Sequence, residues 1–195
     1  MSLISALANV HHQGQFGDFE DKKGADLIKI SEKKNLLIVQ IVQFKNSNML
    51  IESIDIDGLK LKDTPLNVSF NENTIILWNG PKNWLLVSSK KDLIKDISLT
   101  CKEIDFAVTD LSHSRAVIDL EGNYVIEVLK KGSPSNFDVI KKNNSLNSIY
   151  NNIAFTVDFL NDKPFKVRLF TLRSFGESFY HSITDAALEF GYENK

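Results

Sequence analysis

The chain has 195 residues, 43% of them hydrophobic and 25% charged, with a formal net charge of -2 at pH 7. These proportions exclude disorder of the whole chain, and the near-neutral balance supplies no global field to draw in nucleic acid or an anionic membrane. The single cysteine, Cys101, excludes an intrachain disulfide framework and any cysteine-rich zinc or iron–sulfur site, which suits a reducing, cytoplasmic setting.

Residues 1–10 lack a basic leader and a long apolar core, and no later run approaches the length of a membrane span, so neither export nor insertion is expected. Residues 1–24, with adjacent His11 and His12 and a polar stretch between Gly14 and Gly24, show no sustained period and read as an arm. Phe16 and Phe19 are its expected protein contact. Residues 26–30 and 36–44 are rich in β-branched and apolar side chains and predict a strand pair turning at 32–35. Residues 48–57 fit a short helix or another strand equally, before an Asp57-Gly58 turn and a loop at Pro65. Residues 74–78 and 84–88 predict a hairpin, because the turn formers Asn79-Gly80-Pro81-Lys82-Asn83 lie between two apolar runs. After Ser88-Ser89 as candidate caps, Leu93, Ile94 and Ile97 predict a helix over 91–101.

Residues 107–120 read as one long strand or a bent pair, followed by Gly122 and a helix over 124–131 that Gly132 and Pro134 stop. Residues 136–150 read as a long irregular crossover. Two strands, 153–160 and 165–172, flank the turn Asn161-Asp162-Lys163-Pro164. A terminal helix over 174–190 carries Phe175, Phe179, Ile183, Ala186, Ala187 and Phe190 on one stripe. This order predicts an α+β chain with mixed or antiparallel sheets covered by a few helices. Its expected divisions are the arm 1–24, a first subdomain 25–103 and a second subdomain 104–195 ending in the amphipathic helix.

No complete catalytic set is legible. His113 lies between Ser112 and Ser114, and adjacent strand residues face opposite ways, so it cannot readily activate either. Cys101 reads as a small buried hydrophobe. The four histidines, at 11, 12, 113 and 181, lack metal-ligand spacing, and Gly14-Gln15-Phe16-Gly17 neither follows a strand nor opens a helix as a phosphate cradle would. Only three arginines, Arg115, Arg168 and Arg173, stand against 20 lysines. Such arginines are expected where lysine fails, in planar pairing with a carboxylate or with backbone carbonyls.

Three segments occur in a telling order: Asn79-Gly80-Pro81-Lys82-Asn83-Trp84-Leu85-Leu86, then Asp110-Leu111-Ser112-His113-Ser114-Arg115 leading to Gly122, then Arg173-Ser174-Phe175, with Leu129, Gly132 and Asp138 between the last two. Together they resemble the gamma subunit of heterotetrameric sarcosine oxidase, within a wider set that resembles the folate-binding domain of glycine-cleavage aminomethyltransferases. The match spans about residues 75–192. Physically these motif residues read as structural: Gly80 and Pro81 for a tight connection, Trp84 for a core or subunit contact, Asp110 and Arg115 for a strand bend, and Ser174 as a cap of the last helix. The resemblance implies a non-catalytic subunit assembling with alpha, beta and delta subunits in a complex that demethylates sarcosine to glycine. It implies flavins and tetrahydrofolate in those partners and no cofactor on this chain alone. An alternative is a stand-alone folate-binding protein, for which Asp110 is the one motif carboxylate able to read the pterin.

Overall fold

The computed structural model describes residues 4–195. In chain order the strands of the first half are β1 (Gly14–Phe16), β2 (Ile28–Glu32), β3 (Leu37–Gln43), β4 (Asp55–Ile56), β5 (Leu59–Lys60), β6 (Val68–Phe70), β7 (Thr74–Gly80) and β8 (Asn83–Ser88), followed by helix α1 (Leu93–Thr100). The second half contains β9 (Phe106–Asp110), β10 (Arg115–Glu121), α2 (Val125–Gly132), β11 (Ser145–Tyr150), β12 (Ile153–Asp162), β13 (Phe165–Leu172), α3 (Gly176–Ala187) and β14 (Tyr192–Asn194). They form two compact units, one of residues up to 34 with 114–142 and 147–195, the other of 35–113 with 143–146. Both are discontinuous in sequence, whereas the order of elements suggested three successive segments, 1–24, 25–103 and 104–195.

The first unit is built on a seven-stranded mixed sheet in the order β1-β14-β2-β10-β13-β12-β11. Strand alternation explains its two faces. Register aligns Ile30, Leu120, Val167 and Phe159 across four strands, and Ile118, Leu169 and Val157 in the next row. All seven are buried. Each such side chain contributes roughly 1.5–3 kcal/mol of apolar transfer free energy. Helices α2 and α3 pack against each other and against β13, with Val128, Leu129, Phe179 and Ile183 fully buried. Gly176 permits the close approach of α3, because an added Cβ would stand 3.1 Å from the Ala116 Cβ. The other face carries Asp119, Glu121, Lys166 and Arg168.

The second unit is a five-stranded antiparallel sheet in the order β6-β7-β8-β3-β9. Val39, Ile41, Ile76, Trp84 and Leu86 share a core with Leu93, Ile97 and Cys101 of the α1 region and with Ile54, Ile56 and Leu61 around a small β4–β5 hairpin. The ambiguous 48–57 stretch resolves into a 3-10 turn at Ile51–Ser53 and strand β4. Asp57 and Gly58, at φ of +56° and +77°, make the turn that joins β4 to β5.

Several expectations change. Of the expected arm 1–24, residues 1–3 lie outside the described residues and residues 4–24 are not a free arm: Leu7 is fully buried, β1 pairs with β14, and Phe16 stacks on Tyr192 at 5.2 Å. Three residues of edge strand and one buried leucine carry no sequence period, so only the long-range pairing reveals them. The segments 26–30 and 36–44 do form strands, but β2 and β3 belong to different sheets instead of pairing with each other. The 136–150 stretch contains a 3-10 turn at Phe137–Val139 and strand β11. Ser174 does not cap the last helix; it lies in a 3-10 turn, Arg173–Phe175, and α3 begins without a side-chain cap. Phe175, placed on the apolar stripe by periodicity, is 48% exposed, because the 3-10 turn breaks the helical phase before α3 starts.

Candidate functional site

The polar face of the seven-stranded sheet gathers a row of charged side chains on adjacent strands. On β10 the residues Val117, Asp119 and Glu121 alternate with Ala116, Ile118 and Leu120, so an apolar face forces the carboxylates onto the opposite side. Register then sets Asp119 beside Arg168, Arg168 beside Asp158, and Glu121 beside both Lys166 and Lys29. Arg168 donates from Nε to Asp119 Oδ1 at 2.7 Å and from Nη2 to Asp119 Oδ2 at 2.9 Å. Burial works against the guanidinium charge, but the Asp119 bonds and the nearby carboxylates outweigh it and raise the Arg168 pKa. Asp158, 1% exposed, has one carboxylate oxygen, Oδ2, buried without a hydrogen-bond partner. Burial pushes its carboxyl up to about 7; Arg168 pulls the other way, and Asp119 adds repulsion.

Beside this row lies a cleft of about 350 Å³ lined by Lys29, Ser31, Lys33, Asp119, Glu121, Lys166 and Lys195. Lys166 Nζ donates to Glu121 at 2.8 Å, whereas Lys29 stands 3.8 Å from Glu121 and Lys33 3.7 Å from Asp119. Hydrogen bonding from Lys166 is the main reason that the Glu121 carboxyl is held below the usual range.

The motif residues serve structure within each unit. In the second unit the expected five-residue turn shortens to Pro81-Lys82, because Asn79 and Gly80 extend β7 through a bulge. Gly80, at φ +147°, and Lys82, at φ +55°, set the reversal. Asp63 Oδ1 holds it by accepting from the Lys82 amide at 3.1 Å and from Trp78 Nε1 at 2.8 Å. Trp84 is 1% exposed and donates from Nε1 to the Lys62 carbonyl. At the end of β9, Asp110 accepts the Ser112 amide at 2.8 Å, and Ser112 Oγ accepts the Ile38 amide at 3.0 Å. Hydrogen bonding from Ser112 lowers the Asp110 pKa. The carboxylate thus stabilises a strand end.

In the first unit Arg115 donates to the Ser114 carbonyl at 3.3 Å, and Arg173 Nη2 donates to the Ile4 carbonyl. Gly122, at φ +149°, gives its amide to Phe165 at a point where a Cβ would stand 3.2 Å from Ile28 Cα. The expectation for scarce arginines is met most fully at Arg168, which lay outside every motif. Its alternation with Val167 and Leu169, facing a similarly alternating Asp119, was the available signal; the pairing of β10 with β13 was not.

Other candidate groups fall into structural places. Cys101 is buried, and desolvation pushes its thiol up to about 11. His113 is exposed. The His11 ring packs edge-on against Tyr180 at 5.6 Å, so it is not the free side chain expected of an arm, while His12 is exposed. Among the described residues no three His, Cys, Asp or Glu are grouped as metal ligands, and no helix is long and apolar enough to cross a membrane.

By architecture the chain has the α+β fold seen in aminomethyltransferase-like structures. Glycine cleavage system aminomethyltransferase T from Bartonella henselae matches it with a TM-score of 0.61 at 10% identity, over 82% of this chain and 46% of that one. This chain therefore spans a little under half the length of that enzyme. Over nearly its whole length it is also similar to a chain of heterotetrameric sarcosine oxidase from Corynebacterium sp. U-96, solved with pyrrole 2-carboxylate. There the TM-score is 0.79 at 21% identity, over 96% of this chain and 95% of that one. No protein-family model matches the sequence, and no curated protein matches it.

Proposed function

We propose that this chain is a non-catalytic, gamma-type subunit of a sarcosine oxidase complex, acting by assembly with alpha, beta and delta subunits in the cytoplasm. The complex oxidatively demethylates sarcosine to glycine and passes the one-carbon unit to tetrahydrofolate, with the flavins and the folate held by the partner subunits. The observation that supports this reading is the end-to-end correspondence with one chain of a heterotetrameric enzyme, 96% of this chain on 95% of that one. The order of the Gly80-Pro81/Trp84, Asp110/Arg115/Gly122 and Arg173-Ser174 motifs supports it independently of the backbone. The structural employment of Asp110, Ser112 and Trp84 agrees with a scaffold role. Co-expression with the three partner subunits is the test: a stable assembly containing this chain in fixed stoichiometry is expected. A well-folded chain that elutes alone beside an assembled complex of the others would sink the reading.

The fold likeness to an aminomethyltransferase favours one other reading, a stand-alone folate-binding protein. Calorimetry of the isolated chain with tetrahydrofolate separates the two. Saturable binding that weakens in Asp110→Asn supports the second reading, and absence of heat at millimolar ligand leaves the subunit role.

A further inference from the structure

We propose that the cleft where Lys29, Lys33, Lys166 and Lys195 outnumber the lining carboxylates Asp119 and Glu121 is a binding site for a small, multiply charged oxyanion, either a dicarboxylate or a phosphate. This inference does not rest on the subunit assignment. It begins with charge stoichiometry on one sheet face. Four cations, Lys29, Lys33, Lys166 and Arg168, share two carboxylates, Asp119 and Glu121. Each Asp119 oxygen accepts one bond of the Arg168 fork, and Lys33 stands 3.7 Å from Oδ2. Lys166 donates to Glu121 Oε2 at 2.8 Å, while Lys29 stands 3.8 Å from the other oxygen, Oε1. Distances of this size are beyond a hydrogen bond, so two ammonium groups point at carboxylates whose strong bonds lie elsewhere.

Lys195 brings a further cation to the same walls, paired at 3.4 Å with Glu193. The row's remaining carboxylate, Asp158, does not cancel the excess fully, because its burial disfavours ionisation near neutral pH. The cleft therefore combines surplus positive charge with a floor whose carboxylate, Asp119, is only 4% exposed. Low-dielectric walls focus such a field on a ligand more strongly than an open surface does. Lys29, Ser31 and Lys33 sit at alternate positions running from β2 and so face the same side, which gives an anion two ammonium groups flanking a hydroxyl donor. The volume, about 350 Å³, suits a small ligand and not an extended polymer.

The test is a titration of the full chain, followed by amide NMR, with inorganic phosphate in one arm and succinate in the other. Saturable shifts at Lys29, Ser31, Lys33 and Lys166 are expected in at least one arm, and the tighter arm identifies the oxyanion class. The double variant Lys29→Gln/Lys33→Gln is expected to bind about tenfold more weakly, while Lys95→Gln, on α1, leaves affinity unchanged. Thermal unfolding of each variant without anion checks that the fold persists; if the double variant is unfolded, Lys195→Gln, which removes one cation of the cleft and a partly exposed ion pair, is the substitute and is expected to bind about threefold more weakly. Raising the salt concentration is expected to weaken binding to the wild type more than to the variant. Absence of saturation in both arms, or equal affinity in wild type, cleft variant and Lys95→Gln, overturns the proposal.

Discussion

Arg168 on β13 grips Asp119 on β10 with two hydrogen bonds, Nε to Oδ1 at 2.7 Å and Nη2 to Oδ2 at 2.9 Å. Lysine offers no planar fork and cannot reproduce that pair. Arg168→Ala leaves Asp119, 3% exposed, without its bidentate partner, and is expected to cost about 3–5 kcal/mol. Arg168→Lys keeps the charge and loses the geometry, for roughly 1–2 kcal/mol. Urea denaturation at pH 7 measures both, and a lysine variant as stable as the wild type would mean that the fork contributes nothing beyond its charge.

Asp158 stands on the other side of Arg168, and its folded pKa of about 7 lies above the ordinary 3.8. Between those two values the folded chain holds a proton that the unfolded chain releases. Stability is therefore expected to fall as pH rises from about 4 to about 7, then to level off with respect to this group. Asp158→Asn mimics the protonated form and should flatten that slope, gaining on the order of 2–4 kcal/mol relative to wild type at pH 8. Parallel wild-type and mutant stability profiles across this range would show that Asp158 titrates normally.

Gly132 ends α2 where a Cβ would lie 2.4 Å from the Tyr150 ring. That ring is fully buried, and its hydroxyl donates to the Val128 carbonyl at 2.9 Å. Gly132→Ala must displace a core aromatic and strain its hydrogen bond, for an expected loss of about 2–4 kcal/mol. Thermal unfolding reads this directly, and a change below about 0.5 kcal/mol would mean that the ring shifts freely.

Cys101 is 1% exposed, and burial holds its thiol pKa at about 11. A disulfide reagent at pH 8 should leave the native chain unmodified and label it only as the core of the second unit opens. Stoichiometric labelling within seconds under native conditions would contradict this.

Removing residues 1–24 should destabilise the first unit itself. Burial of Leu7 is worth roughly 1.5–3 kcal/mol, and β1 would be lost from the β14 edge. An unchanged unfolding midpoint in the truncated chain would restore the reading of this segment as an arm.

Local chemistry was enough for the features whose causes are local. The β7–β8 hairpin follows from turn formers between two apolar runs, α2 from its amphipathic spacing and its glycine stop, and the β12–β13 pair from the Asn161–Pro164 turn. Scarcity of arginine pointed correctly to planar pairing, though it could not choose Arg168 over Arg115 or Arg173. Alternation of charged and apolar residues on β10 and β13 was a local signal of the polar sheet face, but the reading of these segments as strands did not use it. Partner choice between strands was decided by tertiary structure alone, because a backbone ladder carries no sequence label at long range. That is why β2 and β3, neighbours in sequence, enter different sheets, and why β14 lies parallel to β2 across more than 160 residues of chain. The same pairing brought Asp119, Arg168 and Asp158 into one row, turning three scattered charges into a coupled group whose ionisation follows from burial and contact.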